Sequence, residues 1–449
     1  MSNPAASGDE PSSPSRSSWV APLALFLFAA TLYVVTISHQ LVSLDVWTAN
    51  FASWHLVSAG NPWIEGLRIP MLSHNEFRDV WVLHAANGHT VIGRSPGVVA
   101  VTLPAYWLAH SSSMTTVPGG ITAAVLTAGS LVLLMSALSR SMPKRDALLA
   151  SLAFGFCTPV WSVAANGVWP HTVTILGLCG MAWAAATGRW WWMGVFGGVA
   201  LWGRLTAALI VAIAGILVGL SRRDRRIVLR VGVVSGAALV LMCVWSREMY
   251  GAWSPAASYD STTLTDHAAA NRFSLVNQLG MWISPDRGIL VWTPVILLLL
   301  PALVRSWRQL PDWSRALVWA GLAYTLLQAS LGSFTGGDVF YGYRYGLEML
   351  ACLTPALAMS VHRLGRIAHL LLGPLLAVQF VAIAFGAFDD NAYLAITEAW
   401  HRNAFVVAVH AGGFAGWLSV GIAALIGLLL QHMWRGASPS PVDQEPSAG

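Results

Sequence analysis

Long apolar stretches divided by short polar gaps set the pattern of this chain. A helix needs about 20 apolar residues to cross a bilayer. Runs that meet or nearly meet that length occupy 19–39, 119–139, 147–166, 170–187, 227–247, 287–304, 314–332, 345–362, 367–387 and 405–431. Two half-length runs, 190–203 and 205–220, flank Arg204, and a shorter one, 97–110, contains Pro104. That short run reads as a re-entrant or interfacial helix on the outer face. The pattern therefore predicts an all-α polytopic membrane protein with about twelve transmembrane helices plus this one extra helix. Residues 19–435 form the transmembrane domain, with a large extracytoplasmic loop over 40–96. The stretches 1–18 and 436–449 are rich in Ser, Pro and Gly and read as disordered cytoplasmic tails.

Composition agrees, with 56% hydrophobic residues, 10% charged residues and a mean hydropathy of +0.61. The formal net charge of +5 invites a nucleic-acid reading, which fails once the charges are placed. Basic residues gather in the short gaps at Arg140, Lys144 and Arg145, at Arg189, from Arg222 to Arg230, at Arg305, Arg308 and Arg315, at Arg363 and Arg366, and at Arg435. This is the bias of cytoplasmic loops. It puts both tails inside and the loops 40–96, 166–171, 248–286, 336–344 and 389–402 outside, so all candidate chemistry is extracytoplasmic on a plasma-membrane protein. Neither a phosphate-binding Gly-rich loop nor a dinucleotide fingerprint occurs, which argues against a cytoplasmic kinase or nucleotide-sugar enzyme. A single Lys among 25 cationic residues suggests a high-GC bacterial genome. Cys157, Cys179, Cys243 and Cys352 all lie in apolar runs and read as small buried hydrophobes rather than disulfide partners.

Ionisable side chains concentrate between Leu44 and Pro96. This one connection holds Asp45, Glu65, Glu76, Asp79, Arg68, Arg78 and Arg94, with His84 and His89 among its histidines. A solvated linker would explain them as well as chemistry would. At the turn between the two half-length runs, Arg204 lies at membrane depth, where an arginine costs roughly 2.5–3.5 kcal/mol on insertion scales and normally faces a cavity or a partner.

Five stretches resemble the C-type glycosyltransferase superfamily, in its bacterial, actinobacterial-like membrane branch. Asp45 follows the first span, where the superfamily carries a catalytic acid. Arg94-Ser95-Pro96-Gly97 is similar to a Pro-Pro-Gly turn before a short apolar helix. Gly203-Arg204-Leu205-Thr206 resembles an Arg-Pro-Thr sequence between two short helices. Ser284-Pro285-Asp286-Arg287-Gly288-Ile289-Leu290, followed by Thr293-Pro294, resembles a Ser-Pro-x-Arg-Gly-Leu-Leu pattern. Gly342-Tyr343-Arg344-Tyr345, running on to Leu353-Thr354-Pro355, resembles a Gly-x-Arg-Tyr turn that leads into a Pro-containing helix. The paired Asp-Glu and Glu-Lys-Pro signatures of the mannosyl- and aminoarabinose-transferring branches are missing, so the sugar stays open.

The resemblance implies transfer of a sugar, such as mannose or arabinofuranose, from a polyprenyl-phosphate donor to an envelope glycan or glycolipid acceptor. Asp45 is then the catalytic base, with a proton affinity raised by partial burial, and Asp79 is its rival. Arg94, Arg204, Arg287 and Arg344 become the donor-phosphate ligands, since a guanidinium binds phosphate oxygens in pairs and keeps its charge. Arg78, His84, His171 and Asp338 are the further substrate-binding candidates. Two local pairings compete with this reading: Arg344 with Glu348, four residues on, and Asp286-Arg287 as a helix start. No spacing of His, Asp or Glu demands a metal; a divalent cation remains open. The alternatives are a transporter or flippase of lipid-linked sugars, disfavoured by the absence of internal repeats and by acids that lie in outer loops, and a catalytically inactive scaffold.

Overall fold

The computed structural model describes residues 19–39, 43–67, 69, 81–259, 269 and 271–436, with side chains outside 434–436. It is a multi-pass helical membrane bundle. Among the described residues, four helices are long and apolar enough to cross a bilayer: Val117–Leu138, Arg225–Tyr250, Arg366–Phe388 and the stretch Gly413–Met433. Shorter apolar helices accompany them, among them α1 (Val20–Val35) and Val295–Ser306. Among the described residues the one sheet is a two-stranded hairpin, β1 (Val82–His84) against β2 (Thr90–Ile92), with Val82 opposite Ile92.

Several apolar runs are broken where the sequence alone reads them as continuous. The run 147–166 divides into a helix, Lys144–Phe156, and a π-helical turn, Val160–Ala165, on either side of Thr158-Pro159. Run 287–304 divides at Thr293-Pro294 into Ile289–Trp292 and Val295–Ser306. A proline lacks the N–H that would continue the ladder and pushes the residue before it out of helical geometry. Run 405–431 divides at Gly412-Gly413, and Gly413 takes φ 57°, which favours glycine.

The 40–96 connection is more than a solvated linker. It opens with α2 (Leu44–Ala59), whose N-cap Ser43 accepts the Asp45 backbone N–H at 3.3 Å and whose C-cap Gly60 is left-handed. This helix packs on α3 (Pro96–Ala109), the short helix expected at 97–110, with Ala49 and Ala52 against Val98 and Val99. Buried hydroxyl and amide groups join the pair. Tyr106 donates to Asn50 Oδ1 at 2.7 Å, and the Ser53 and Thr102 hydroxyls meet at 2.7 Å.

Close helix packing sets the depth of Arg204. Helix α4 (Pro170–Ala186) and helix α5 (Trp190–Gly203) run so near each other that a Cβ on Gly177 would lie 2.5 Å from the Ala200 backbone nitrogen. Small residues permit this approach, as in other membrane helix pairs. It brings the last residue of α5, and Arg204 after it, beside the first turn of α4, where His171 sits.

Candidate active site

Asp45 stands in the first turn of α2, between two arginines from distant parts of the chain. Arg94 Nη1 lies 3.0 Å from its Oδ1, and Arg344 Nη1 donates to its Oδ2. Each arginine is held by further partners. Arg94 donates through Nε to the Thr48 hydroxyl at 2.7 Å, and its guanidinium lies 3.9 Å above the Trp81 ring. The Arg344 guanidinium is 5.0 Å from the Trp169 ring and 4.9 Å from the Tyr345 ring. Its Nε is buried and has no hydrogen-bond partner among the described residues.

Burial alone raises the Asp45 carboxyl, but the charges of Arg344 and Arg94 and their hydrogen bonds outweigh it and hold the group down at about 2. The raised proton affinity expected from the sequence is therefore corrected, because two opposite charges in contact outweigh desolvation.

A second acidic cluster lies beside the first. Glu348, in the first turn of the helix Leu347–Ser360, is fully buried, and its Oε1 is 2.7 Å from His171 Nδ1. Arg204 closes the cluster: its Nη1 lies 3.8 Å from Glu348 Oε1 and 3.1 Å from His171 Nε2, and its Nη2 donates to Gln328 Oε1 at 2.7 Å. Tyr345 joins the two clusters, with the Arg204 guanidinium 5.1 Å from its ring and Arg344 on the same ring. Three guanidiniums thus face two carboxylates, so the site keeps a positive excess. Among the described residues no group of three His, Cys, Asp or Glu side chains comes together to hold a metal ion.

Among solved structures, ArnT from Cupriavidus metallidurans bound to undecaprenyl phosphate aligns with 93% of this chain and 76% of its own, at a TM-score of 0.50 and 15% identity. The chain has the C-type glycosyltransferase fold. The Archaeoglobus fulgidus oligosaccharyltransferase tethered to an acceptor peptide also aligns, over 92% of this chain and 56% of its own, at a TM-score of 0.45 and 11% identity. No protein-family profile matches the sequence, and no curated protein matches it either.

Within this C-type fold the candidates named from sequence separate. Arg94, Arg204, Arg344, Asp45 and His171 gather at one site. Arg287 does not join them. Its guanidinium, 1% exposed, donates to the Phe340, Gly342 and Leu394 carbonyls at 3.0, 2.9 and 3.2 Å and lies 3.5 Å from Asp286. Its Nη1 and Nη2 donors hold the carbonyls of two loops away from the arginine cluster, while its buried Nε has no partner among the described residues, so Arg287 is not gathered with the other phosphate candidates. Asp286 is more than a helix start, since its Oδ1 accepts the Ala404 N–H at 2.9 Å. Arg344 pairs with Asp45, and Glu348 with His171, in place of the local Arg344–Glu348 pair. His84 is exposed on β1, and the exposed Asp338 accepts the Ile396 N–H at 3.0 Å; neither touches the arginine cluster. Asp79 and Arg78 lie outside the described residues. Sequence reasoning missed Gln328 and the true partners of Glu348, and named Tyr345 only as part of its motif. A charged or amide side chain inside an apolar run was the available signal.

Proposed function

We propose that this protein is a membrane glycosyltransferase that moves a sugar from a polyprenyl-phosphate donor to an acceptor hydroxyl on the outer face of the plasma membrane. The observation that carries the reading is the cluster of Arg94, Arg204 and Arg344 around Asp45 and Glu348, with the buried Arg344 Nε unsatisfied. A buried donor without an acceptor costs about 1–3 kcal/mol, which an incoming phosphate oxygen would relieve. The fold likeness to a protein bound to undecaprenyl phosphate supports the same reading.

In the reaction, the acceptor oxygen forms a bond to the anomeric carbon as the bond to phosphate breaks and polyprenyl phosphate leaves. The hydroxyl proton goes to Asp45. A carboxylate held at about 2 accepts protons poorly. Phosphate that competes for Arg94 and Arg344 weakens their hold on Asp45, so its proton affinity climbs once the donor is bound. The base is thereby matched to the loaded enzyme. Incubating the purified protein with a panel of polyprenyl-phosphate sugars and measuring released polyprenyl phosphate tests the reading; release with none of them rejects it.

The outer placement of the site has its own test. Cysteine introduced at the exposed positions Ser58 and Ser221 is expected to react with an impermeant thiol reagent from outside at 58 alone. Labelling of 221 from outside would put the site in the wrong compartment.

The Asp45 pairs also give a pH dependence. The folded carboxyl titrates below its ordinary 3.8, so its contribution, about 2 kcal/mol, is fully present above 3.8 and is lost as pH falls from there to about 2. Thermal unfolding in detergent is expected to show wild type losing its advantage over Asp45→Asn across that acid window, and no Asp45-dependent change near neutrality. An advantage that instead changes between about pH 6 and 8 rejects the assigned pairing.

A further inference from the structure

The end of the bundle opposite the arginine cluster carries a groove that the transferase reading does not use. The helix Leu347–Ser360, with Glu348 in its first turn, has 14 residues and so runs about 21 Å away from that cluster. The turn Val361–Arg363 and the start of the helix Arg366–Phe388 follow. There Val361, His362, Leu364, Arg366 and His369 line a groove of about 300 Å³, at the lower end of the roughly 300–1,000 Å³ typical of small-molecule sites. None of these five side chains is acidic. The exposed Arg366 makes no hydrogen bond or ion pair among the described residues. His362 Nδ1 lies 2.8 Å from the Met359 carbonyl oxygen. A carbonyl only accepts, so Nδ1 carries the proton, and Nε2 of the neutral ring is left as an acceptor.

We infer that this groove binds the head group of an anionic phospholipid. The inference rests on the membrane fold and is independent of the transferase reading. Depth is the first argument. The helix Arg366–Phe388 is long and apolar enough to span, and its 23 residues cover about 35 Å, more than a hydrocarbon core of about 30 Å. Its first residue, Arg366, therefore reaches the head-group level. Leu370, one helical turn further in, is exposed, as are Ile367 and Leu371 beside it. They give acyl chains an apolar face directly below the cation. A soluble anion would meet Arg366 and leave that face unused, whereas a phospholipid uses both. The guanidinium fork pairs two phosphate oxygens, and His362 Nε2 accepts from a head-group hydroxyl, as on a glycerol. On the topology proposed above this end faces the cytoplasmic leaflet, where basic pockets between spanning helices meet anionic lipid.

The test uses the full chain in detergent micelles, titrated separately with phosphatidylglycerol, phosphatidylcholine and inorganic phosphate, with bound molecules counted by native mass spectrometry. Wild type is expected to hold one phosphatidylglycerol at least tenfold more tightly than phosphatidylcholine. Arg366→Gln is expected to weaken that binding about fivefold, the worth of one interfacial cation. Arg226→Gln removes the same charge from an exposed position on another helix and is expected to leave it within twofold. Equal phosphatidylglycerol binding in wild type and Arg366→Gln overturns the site, and an equal fall in the two variants overturns it too, by reducing the effect to diffuse charge. Inorganic phosphate bound with the same dependence on Arg366, without preference between the two lipids, gives the groove to a soluble anion and overturns the lipid assignment.

Discussion

Asp45→Asn is expected to lower turnover about 100- to 10,000-fold, the usual cost of losing a positioned base, while the protein still folds and binds its donor. The amide keeps the shape of the carboxylate but cannot take the acceptor proton. The two arginines it faces are not left stranded. Arg94 keeps the Thr48 hydroxyl and the Trp81 ring, and Arg344 keeps its aromatic neighbours. With the carboxylate neutralised, both guanidiniums are freer to meet phosphate, so donor affinity is expected to hold or rise. The measurement is single-turnover sugar release beside equilibrium donor binding. Near-normal turnover in Asp45→Asn with loss in Asp79→Asn would move the base to Asp79. Activity retained in both variants would sink the chemistry altogether.

Lysine substitutions at Arg287 and Arg204 are expected to fail in different ways. Arg287 holds three backbone carbonyls from two loops with one planar group, and a lysine ammonium cannot span them. Loss of two such charge-assisted bonds, at about 1.5–3 kcal/mol each, removes about 3–6 kcal/mol, a large share of a typical stability of 5–15 kcal/mol. Arg287→Lys is therefore expected to depress yield and melting temperature, with donor affinity unchanged in the protein that survives. Arg204 is partly accessible, with 14% of its side chain exposed, and its fork reaches Gln328 and the Glu348–His171 pair. Arg204→Lys keeps the charge and loses the fork, and donor affinity is expected to fall about tenfold, or 1.4 kcal/mol, with little change in melting. Equal donor affinity in wild type and Arg204→Lys would leave this residue a purely structural role.

The apolar runs were legible because hydrophobic length is a local signal that sets a helix. Breaks at Pro159, Pro294 and Gly413 also had local causes, though run length hid them. The pairings were not legible. Glu348 follows Arg344 by four residues, which suggests a helical pair, yet the helix begins only at Leu347. Arg344 thus sits on irregular backbone, free to reach an aspartate 299 positions earlier. Nothing in local spacing specifies such a contact. Arg287 lies apart from the other candidates for the converse reason: a motif can mark a residue that holds loop carbonyls as readily as one that joins the charged cluster.

The lipid-facing first helix bears on the membrane itself. Helix α1, with Leu23, Leu27 and Phe28 exposed, has 16 residues and spans about 24 Å, several ångströms less than a hydrocarbon core of about 30 Å. This hydrophobic mismatch costs fractions of a kcal/mol per ångström and is relieved when the bilayer thins locally. Thinning of this kind around α1 would draw the two lipid phosphate planes closer together there than in the surrounding bilayer.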